Sequence, residues 1–161
     1  MSEDLDERLL AHVGREQTFT APEPLGEAAV RYFALATADA NPLYGDTERA
    51  GRSRHRGIIA PPTLICETNQ ILGGEPGRGS DGVEWDLPLE GRRFMRSGNT
   101  YEFVQPARPG DRVSVTWRIV DIVARRTSGG ESAVFVTSRA DYTNQKGETL
   151  ATNVEANVYL K

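Results

Sequence analysis

The segment that decides the fold runs from Arg31 to Leu64 and reads RYFALATADANPLYGDTERAGRSRHRGIIAPPTL. It begins in a helix-like run, passes through Asp39-Ala40-Asn41-Pro42 and crosses a polar loop rich in arginine. It ends in Ile58–Thr63, which opens a second helix. A carboxylate and an amide held where one helix ends, close to where another begins, can bind a water molecule and a polarised carbonyl. The segment therefore predicts a helix–loop–helix unit with a polar site inside it.

Helical spacing flanks the loop on both sides. Apolar residues recur at spacings of three and four from Gly26 to Ala38, which predicts an amphipathic helix. Leu64–Leu72 is mostly apolar and is preceded by two prolines, which suit a helix start, so it predicts a largely buried helix. Residues 41–60 have no period, which indicates a long structured loop of the kind that is usually functional. Residues 1–15 are a polar lead-in with a short helix around Leu5–His12.

The rest of the chain changes to a period of two. Residues 74–89 are rich in glycine, proline and aspartate and indicate a connection. The last strand alternates cleanly between an apolar face, represented by Leu150 and Val154, and a polar face with Asn153, Glu155 and Asn157. Helices followed by an antiparallel meander predict a segregated α+β fold. The predicted strands are Gln17–Thr20, Thr100–Gln105, Val113–Val120, Ala133–Tyr142 and Leu150–Leu160.

Composition fits one soluble globular domain. The 161 residues are 38% hydrophobic and 7% aromatic, enough for one core and cramped for two. The formal net charge of −4 argues against a nucleic-acid partner, which would need a dense basic surface. The N-terminal MSEDLDERLL is acidic and unlike a signal peptide, and no run approaches the roughly 18 apolar residues of a membrane helix. We expect a cytoplasmic protein with no membrane partner.

Cysteine and histidine are scarce. Cys66 is the only cysteine, so the chain can form no internal disulfide and carries no paired-cysteine zinc spacing. It lies in an apolar run, which favours a buried inert thiol over a nucleophile. No metal and no cofactor are expected. Arg49, Arg52 and the run Arg54–Arg56, which contains His55, are either a solvated basic loop or a docking patch for a phosphorylated carrier.

The motifs taken together resemble those of the MaoC-like hydratases and dehydratases. That family carries Asp-x-Asn-Pro-x-His, and this chain has Asp39-Ala40-Asn41-Pro42 with Tyr44 at the histidine position. Asn99–Phe103, Arg108–Asp111 and Ala151-Thr152 follow in the family's order and resemble its N-terminal-type half. The resemblance covers roughly Val13 to Leu160. It implies a single hot-dog domain over residues 1–161, with a long central helix wrapped by an antiparallel β-sheet and residues 41–60 as an overhanging loop.

The resemblance also implies a chemistry. Family members add water to enoyl thioesters or remove it from 3-hydroxyacyl thioesters, with the motif's aspartate and histidine holding the water. Asp39 matches the carboxylate, although an aspartate just past a helix can also simply brace the turn. Asn41 matches the amide, and Asn-Pro is equally a common turn former.

Replacement of the family histidine leaves the proton donor open. Tyr44 has an ordinary pKa of about 10, so it can donate a proton to substrate but is a poor base, or it serves only to pack and to hydrogen-bond. His55 is a candidate replacement acid–base group, although a histidine among arginines is more often simply exposed.

Substrate binding is expected at the start of the second helix and in the basic loop. The family binds the thioester oxygen with a backbone N–H at that helix head, which falls near Pro62 here, and proline has no N–H. The amide of Thr63 and the positive end of the helix remain as donors. Arg54 and Arg56 are the predicted contacts to the carrier, coenzyme A or an acyl-carrier protein.

Three functions remain open from the sequence. The first is an acyl-thioester hydratase or dehydratase of fatty acid or polyketide metabolism. The second is a non-catalytic subunit of a heterodimeric dehydratase, which shapes the acyl pocket for a partner. The third is a tailoring enzyme that uses the pocket for an isomerisation or cyclisation. Each implies a homodimer or a heterodimer with a second hot-dog subunit.

Overall fold

The computed structural model describes residues 7–66 and 85–161. Short helices precede the last four strands, and none within these residues is long and apolar enough to cross a membrane. The α-helices are α1 (Glu7–Leu10), α2 (Glu27–Ala36) and α3 (Thr47–Arg52), and two 3₁₀ helices span Pro42–Tyr44 and Pro62–Cys66. The strands are β1 (Glu16–Thr20), β2 (Arg93–Phe103), β3 (Ser114–Arg126), β4 (Ser132–Thr143) and β5 (Thr149–Leu160).

The five strands form one antiparallel sheet in the order β1-β3-β4-β5-β2. Strand β2 occupies one edge, where every residue except the half-buried Tyr101 is exposed. An α+β chain with one antiparallel sheet of this kind matches the hot-dog fold, so the predicted fold class is confirmed.

Each predicted strand is present, with changed bounds. Strand β2 begins at Arg93, seven residues before the predicted start at Thr100, because an exposed edge strand has no buried face to impose an alternating pattern. Strand β3 ends at Arg126, later than predicted, because a register shift between Ile119 and Asp121 interrupts the alternation there.

The segment over residues 41–60, predicted as a long structured loop, contains two short helices that the sequence did not indicate. The first 3₁₀ helix begins at Pro42, and the segment then enters α3, whose N-terminal N–H of Arg49 donates to the Asp46 carboxylate at 2.9 Å. Six residues are too short for helical periodicity to be visible in sequence, but an aspartate before Thr47 is a preferred N-cap. The second predicted helix begins at Pro62 as expected, and its part from residue 67 onward lies outside the described residues.

The polar side of β5 faces the core. Asn153, Glu155 and Asn157 are 0%, 3% and 5% exposed, whereas Val154 on the opposite face is 39% exposed. The register aligns these polar residues with the inward face of β4, which includes Val136. An alternating strand shows which residues share a face, and here the face turned inward is the polar one.

The turn Arg108–Asp111 is hydrogen-bonded to the segment that precedes α2. The carboxylate of Asp111 accepts from the Arg108 amide at 2.8 Å, and its backbone carbonyl accepts from the Leu25 amide at 2.8 Å. Gly110 has a φ of +93°, which glycine adopts without steric cost, and its amide donates to the Leu25 carbonyl at 2.8 Å. The turn therefore holds the segment before α2 against the end of the sheet.

Candidate active site

The predicted site residues Asp39, Asn41 and Tyr44 line one open groove at the C-terminal end of α2, with a volume of about 280 Å³. We call it the α2 groove. The residues that line it include Arg31, Leu35, Asp39, Asn41, Tyr44 and Asp46.

The end of α2 sets the position of Asp39. The Asp39 amide donates to the Ala34 carbonyl at 2.8 Å, and the Ala38 amide donates to the Leu35 carbonyl at 3.1 Å. These two bonds form a Schellman motif, which requires a left-handed residue between helix and exit. Ala38 fills that place with a φ of +53°, a conformation that disfavours any residue with a Cβ. Strained backbone next to a polar groove is typical of functional sites.

Two successive turns engage the motif's polar side chains. Asp39 Oδ1 accepts from the Asn41 amide at 3.0 Å, and Asn41 Oδ1 accepts from the Leu43 amide at 3.1 Å. Both side chains are exposed and both brace the entry to the first 3₁₀ helix. The second oxygen of Asp39 is available to a ligand in the groove, since a carboxylate has about four acceptor sites.

Tyr44 differs from its neighbours because its side chain is part of the core. It is 7% exposed and belongs to the same buried cluster as Val30 and Trp117. Among the described residues, no hydrogen bond joins its hydroxyl to the Asp39 carboxylate. The groove therefore combines an exposed carboxylate with a largely buried phenol.

The groove has a second carboxylate, which the sequence reasoning missed. Asp46 lines it and caps α3, and its carboxylate also lies 3.8 Å from the Arg49 guanidinium. Arg31 lines the groove from α2, in an exposed pair with Glu27 at 4.0 Å. The N-cap pattern before Thr47 was the available signal for Asp46, and nothing in the sequence distinguished Arg31.

The remaining predicted site residues lie outside the α2 groove. His55 Nε2 lies 3.2 Å from Arg54 Nε, and the His55 amide donates to Ser53 Oγ at 3.1 Å. Arg56 is exposed and has a φ of +55°. Pro62 and Thr63 open the second 3₁₀ helix as exposed residues, and the helix start leaves N–H groups without partners inside the helix. Catalytic and binding roles for all these residues stay predictions.

Two tyrosines, the half-buried Tyr101 and the buried Tyr142, lie near the other end of that 3₁₀ helix. Burial raises the pKa of Tyr101 above its ordinary value, and contact with Cys66 adds to the rise. Burial likewise raises the pKa of Tyr142, with Cys66 and Tyr101 contributing. Both phenols therefore remain neutral hydrogen-bond donors at physiological pH.

Comparisons of sequence and structure with known proteins define the class of this protein. Residues 11–153 match the family described as FAS1-like, dehydratase domain region. The chain belongs to this dehydratase-region family and has the hot-dog fold of a MaoC-like dehydratase.

Individual relatives agree with that assignment. The UPF0336 protein SCO4636 of Streptomyces coelicolor is 31% identical over 140 residues, which cover 87% of each chain. A probable enoyl-CoA hydratase alpha subunit of Thermomonospora curvata is 26% identical over 159 residues, covering 93% of this chain and 50% of that protein. A MaoC-like dehydratase from Rhodospirillum rubrum has the same fold, with a TM-score of 0.66, 23% identity and 92% of each chain covered.

Proposed function

We propose that this chain is an acyl-thioester hydratase or dehydratase that works as one subunit of a pair, with Asp39 as the base that acts on water. The observation that carries the proposal is the α2 groove, in which a carboxylate with a free oxygen faces the same space as Tyr44. Addition of water to an enoyl thioester needs a base for the water and an acid for Cα. Tyr44 is the candidate acid, because a neutral phenol can donate a proton.

The groove can hold both a water molecule and part of an acyl chain. It is open, and Leu35 on its wall is 75% exposed, so an acyl chain would find apolar surface next to the carboxylate. Arg31 supplies one positive charge at the rim. Membership of a dehydratase family and the name of the Thermomonospora relative support lyase chemistry over the tailoring reactions.

A second subunit is part of the proposal. Strand β2 presents eleven residues along the edge of the sheet, including the exposed Phe94, Met95 and Phe103. A long exposed edge strand is a template for another strand, and native proteins cover such edges. Antiparallel pairing with a second hot-dog subunit at β2 would do so. The twofold greater length of the Thermomonospora relative is compatible with a partner of similar size.

The first test is hydration of crotonyl-CoA and of a longer enoyl-CoA by the purified chain, followed as loss of enoyl absorbance. Asp39→Asn should lower kcat/KM by about 10²-fold or more, the usual scale for removal of a general base. Asparagine can still accept from the Asn41 amide, so the turn is retained. Asp46→Asn is the matched control: it removes the same charge from the same groove and keeps an N-cap, and it should stay within a fewfold.

The second candidate is a non-catalytic subunit that shapes the acyl pocket of a partner. It is favoured by the burial of Tyr44 and by the local bonds that engage Asp39 and Asn41. In that case the purified chain has no turnover, Asp39→Asn has no effect on the activity of the reconstituted pair, and activity appears only with the co-purified partner subunit.

A further inference from the structure

The inner face of β5 carries a buried row of polar side chains outside the α2 groove. We call Asn153, Glu155 and Asn157 the polar row; successive members are about 7 Å apart along the strand. Ser138, the β4 partner of Glu155, adds a hydroxyl that is 2% exposed. On the β3 side of the same face, Ile119 and Val136 are apolar and fully buried. The inner face thus changes from apolar to polar toward β2.

The asparagine side chains of the row donate hydrogen bonds to their neighbours, but their carbonyl oxygens accept none. Asn153 Nδ2 donates to Asn99 Oδ1 at 3.1 Å, and Asn157 Nδ2 donates to Glu155 Oε1 at 2.8 Å. In the part of the chain that the structure describes, three buried atoms of this region have no hydrogen-bond partner: Asn153 Oδ1, Asn157 Oδ1 and Ser138 Oγ. Each such atom is unfavourable while it stays unpaired, because it has lost its hydrogen bonds to water. A ligand with O–H or N–H donors would satisfy the two asparagine oxygens, and the Ser138 hydroxyl could pair with the same ligand.

The row extends to the edge strand of the sheet. Arg96 and Asn99 belong to the exposed strand β2, and both contact the row: Arg96 Nε lies 3.3 Å from Glu155 Oε2, and Asn99 accepts from Asn153. The row also approaches the head of the second 3₁₀ helix. Tyr101, the β2 partner of Asn153, contacts Cys66, three residues after Thr63 and roughly 6 Å along a 3₁₀ helix.

We propose that the polar row binds a hydroxyl group on the acyl chain of the thioester, so that this protein prefers hydroxylated acyl groups to plain alkyl ones. The proposal rests on the proposed function, because it takes the acyl thioester as the ligand. A plain alkyl chain would leave the three acceptor atoms buried and unpaired. A chain with a hydroxyl donates to one of the asparagine oxygens and accepts from Ser138. Sites built to hydrogen-bond a substrate hydroxyl discriminate strongly against analogues that lack it.

The test is binding of matched, unreactive saturated thioesters, measured by isothermal titration calorimetry on the full chain. The pairs are hexanoyl-CoA with 5-hydroxyhexanoyl-CoA, and decanoyl-CoA with 9-hydroxydecanoyl-CoA. The coenzyme A part is common to both members of a pair, so any difference in Kd reports the acyl group alone. We expect the hydroxylated member of at least one pair to bind about fivefold to tenfold tighter, the scale of one net hydrogen bond.

Variants identify the row as the source of the difference. Of Asn153→Leu and Asn157→Leu, the one that removes the accepting oxygen should reduce the preference to within twofold. Asn157→Ser, which keeps a small hydroxyl-bearing side chain, serves if the leucine variants do not fold, and it should weaken the preference. Thr152→Val, on the opposite face of β5, is the matched control and should keep the full preference.

The outcomes separate this inference from the proposed function. Equal binding of both members of both pairs, or a preference that survives Asn153→Leu and Asn157→Leu, would overturn the inference and leave the hydratase proposal intact. Absence of binding by all four thioesters, together with absence of crotonyl-CoA hydration, would overturn both.

Discussion

The α2 groove and the polar row of β5 treat their polar atoms in opposite ways. In the groove, Asp39 and Asn41 are exposed, and each accepts a hydrogen bond from a backbone amide two residues ahead. In the row, Asn153 and Asn157 are buried, and each keeps one unpartnered oxygen within the described residues. The residues of the Asp39–Pro42 motif have local hydrogen-bond partners. The buried oxygens that a ligand could satisfy lie instead on strand β5, outside the motif.

This difference separates two kinds of signal. A motif in sequence is visible because its residues are close together, and closeness also allows them to bond one another. Residues that meet only through strand pairing show no such clustering. Asn99 and Asn153 are 54 residues apart and bond across β2 and β5. The comparison predicts that stability resides mainly in the row, and that activity depends on the groove.

Arg96→Met should give the largest effect on stability, because it removes the guanidinium that lies 3.3 Å from the buried Glu155 carboxylate. We expect the free energy of unfolding to fall by about 2–3 kcal/mol, somewhat less than for a wholly buried pair, since Arg96 is 35% exposed. Arg52→Met removes the exposed pair with Glu48 at 2.6 Å and should change it by less than about 0.5 kcal/mol. Urea denaturation of both variants makes the comparison. Equal losses of stability in the two variants would show that the Arg96–Glu155 pair stabilises the fold no more than an exposed pair does.

The alkaline limit of stability tests the tyrosines beside the row. Because burial raises the pKa of Tyr142 above its ordinary value of 10, the folded state holds that proton more tightly than the unfolded chain. Stability is therefore unaffected below pH 10 and falls above it, by up to about 1.4 kcal/mol per pH unit. Tyr142→Phe should fall less steeply between pH 10 and 11 in urea titrations. Tyr32→Phe, at an exposed position of α2, controls for loss of a hydroxyl, and identical slopes in all three proteins would contradict the prediction.

The smallest effect is expected in the groove. Ala38→Gly relieves the left-handed φ of +53° and should raise the free energy of unfolding by about 0.5–1 kcal/mol, after allowance for the greater freedom of glycine in the unfolded chain. Ala36→Gly, inside α2, should lower it by a similar amount. If the Ala38 conformation also positions Asp39 for catalysis, Ala38→Gly lowers kcat as it gains stability. A loss of stability would mean that the end of α2 is unstrained.

The sequence predicted the strands well because their period of two reflects burial directly. The two misplaced ends, at Arg93 and Arg126, occur where that link fails: on an exposed edge and beyond a register shift. Helix α3 was missed because six residues give no period, although the aspartate at its N-cap was visible.

The site was predictable only in part. The motif located the groove, since Asp39, Asn41 and Tyr44 line it together. Packing of Tyr44 was one of two interpretations that the sequence left open, and its place in one buried cluster with Val30 and Trp117 is a tertiary property. The polar row was visible in sequence as one face of a strand. Whether that face turns toward the core is a tertiary property, and here it shares the inward side of the sheet with β4.

The register shift in β2 constrains how this gene can vary in length. Arg96 and Asn99 are three positions apart, yet they pair with Asn157 and Glu155 on the same face, because the shift between Arg96 and Gly98 absorbs one residue. Deletion of Ser97 would restore simple alternation and turn one side of the strand over. Either Arg96 would leave Glu155, or Asn99 would leave Asn153. We therefore expect relatives that keep the polar row to tolerate substitutions at position 97 and to exclude insertions and deletions there.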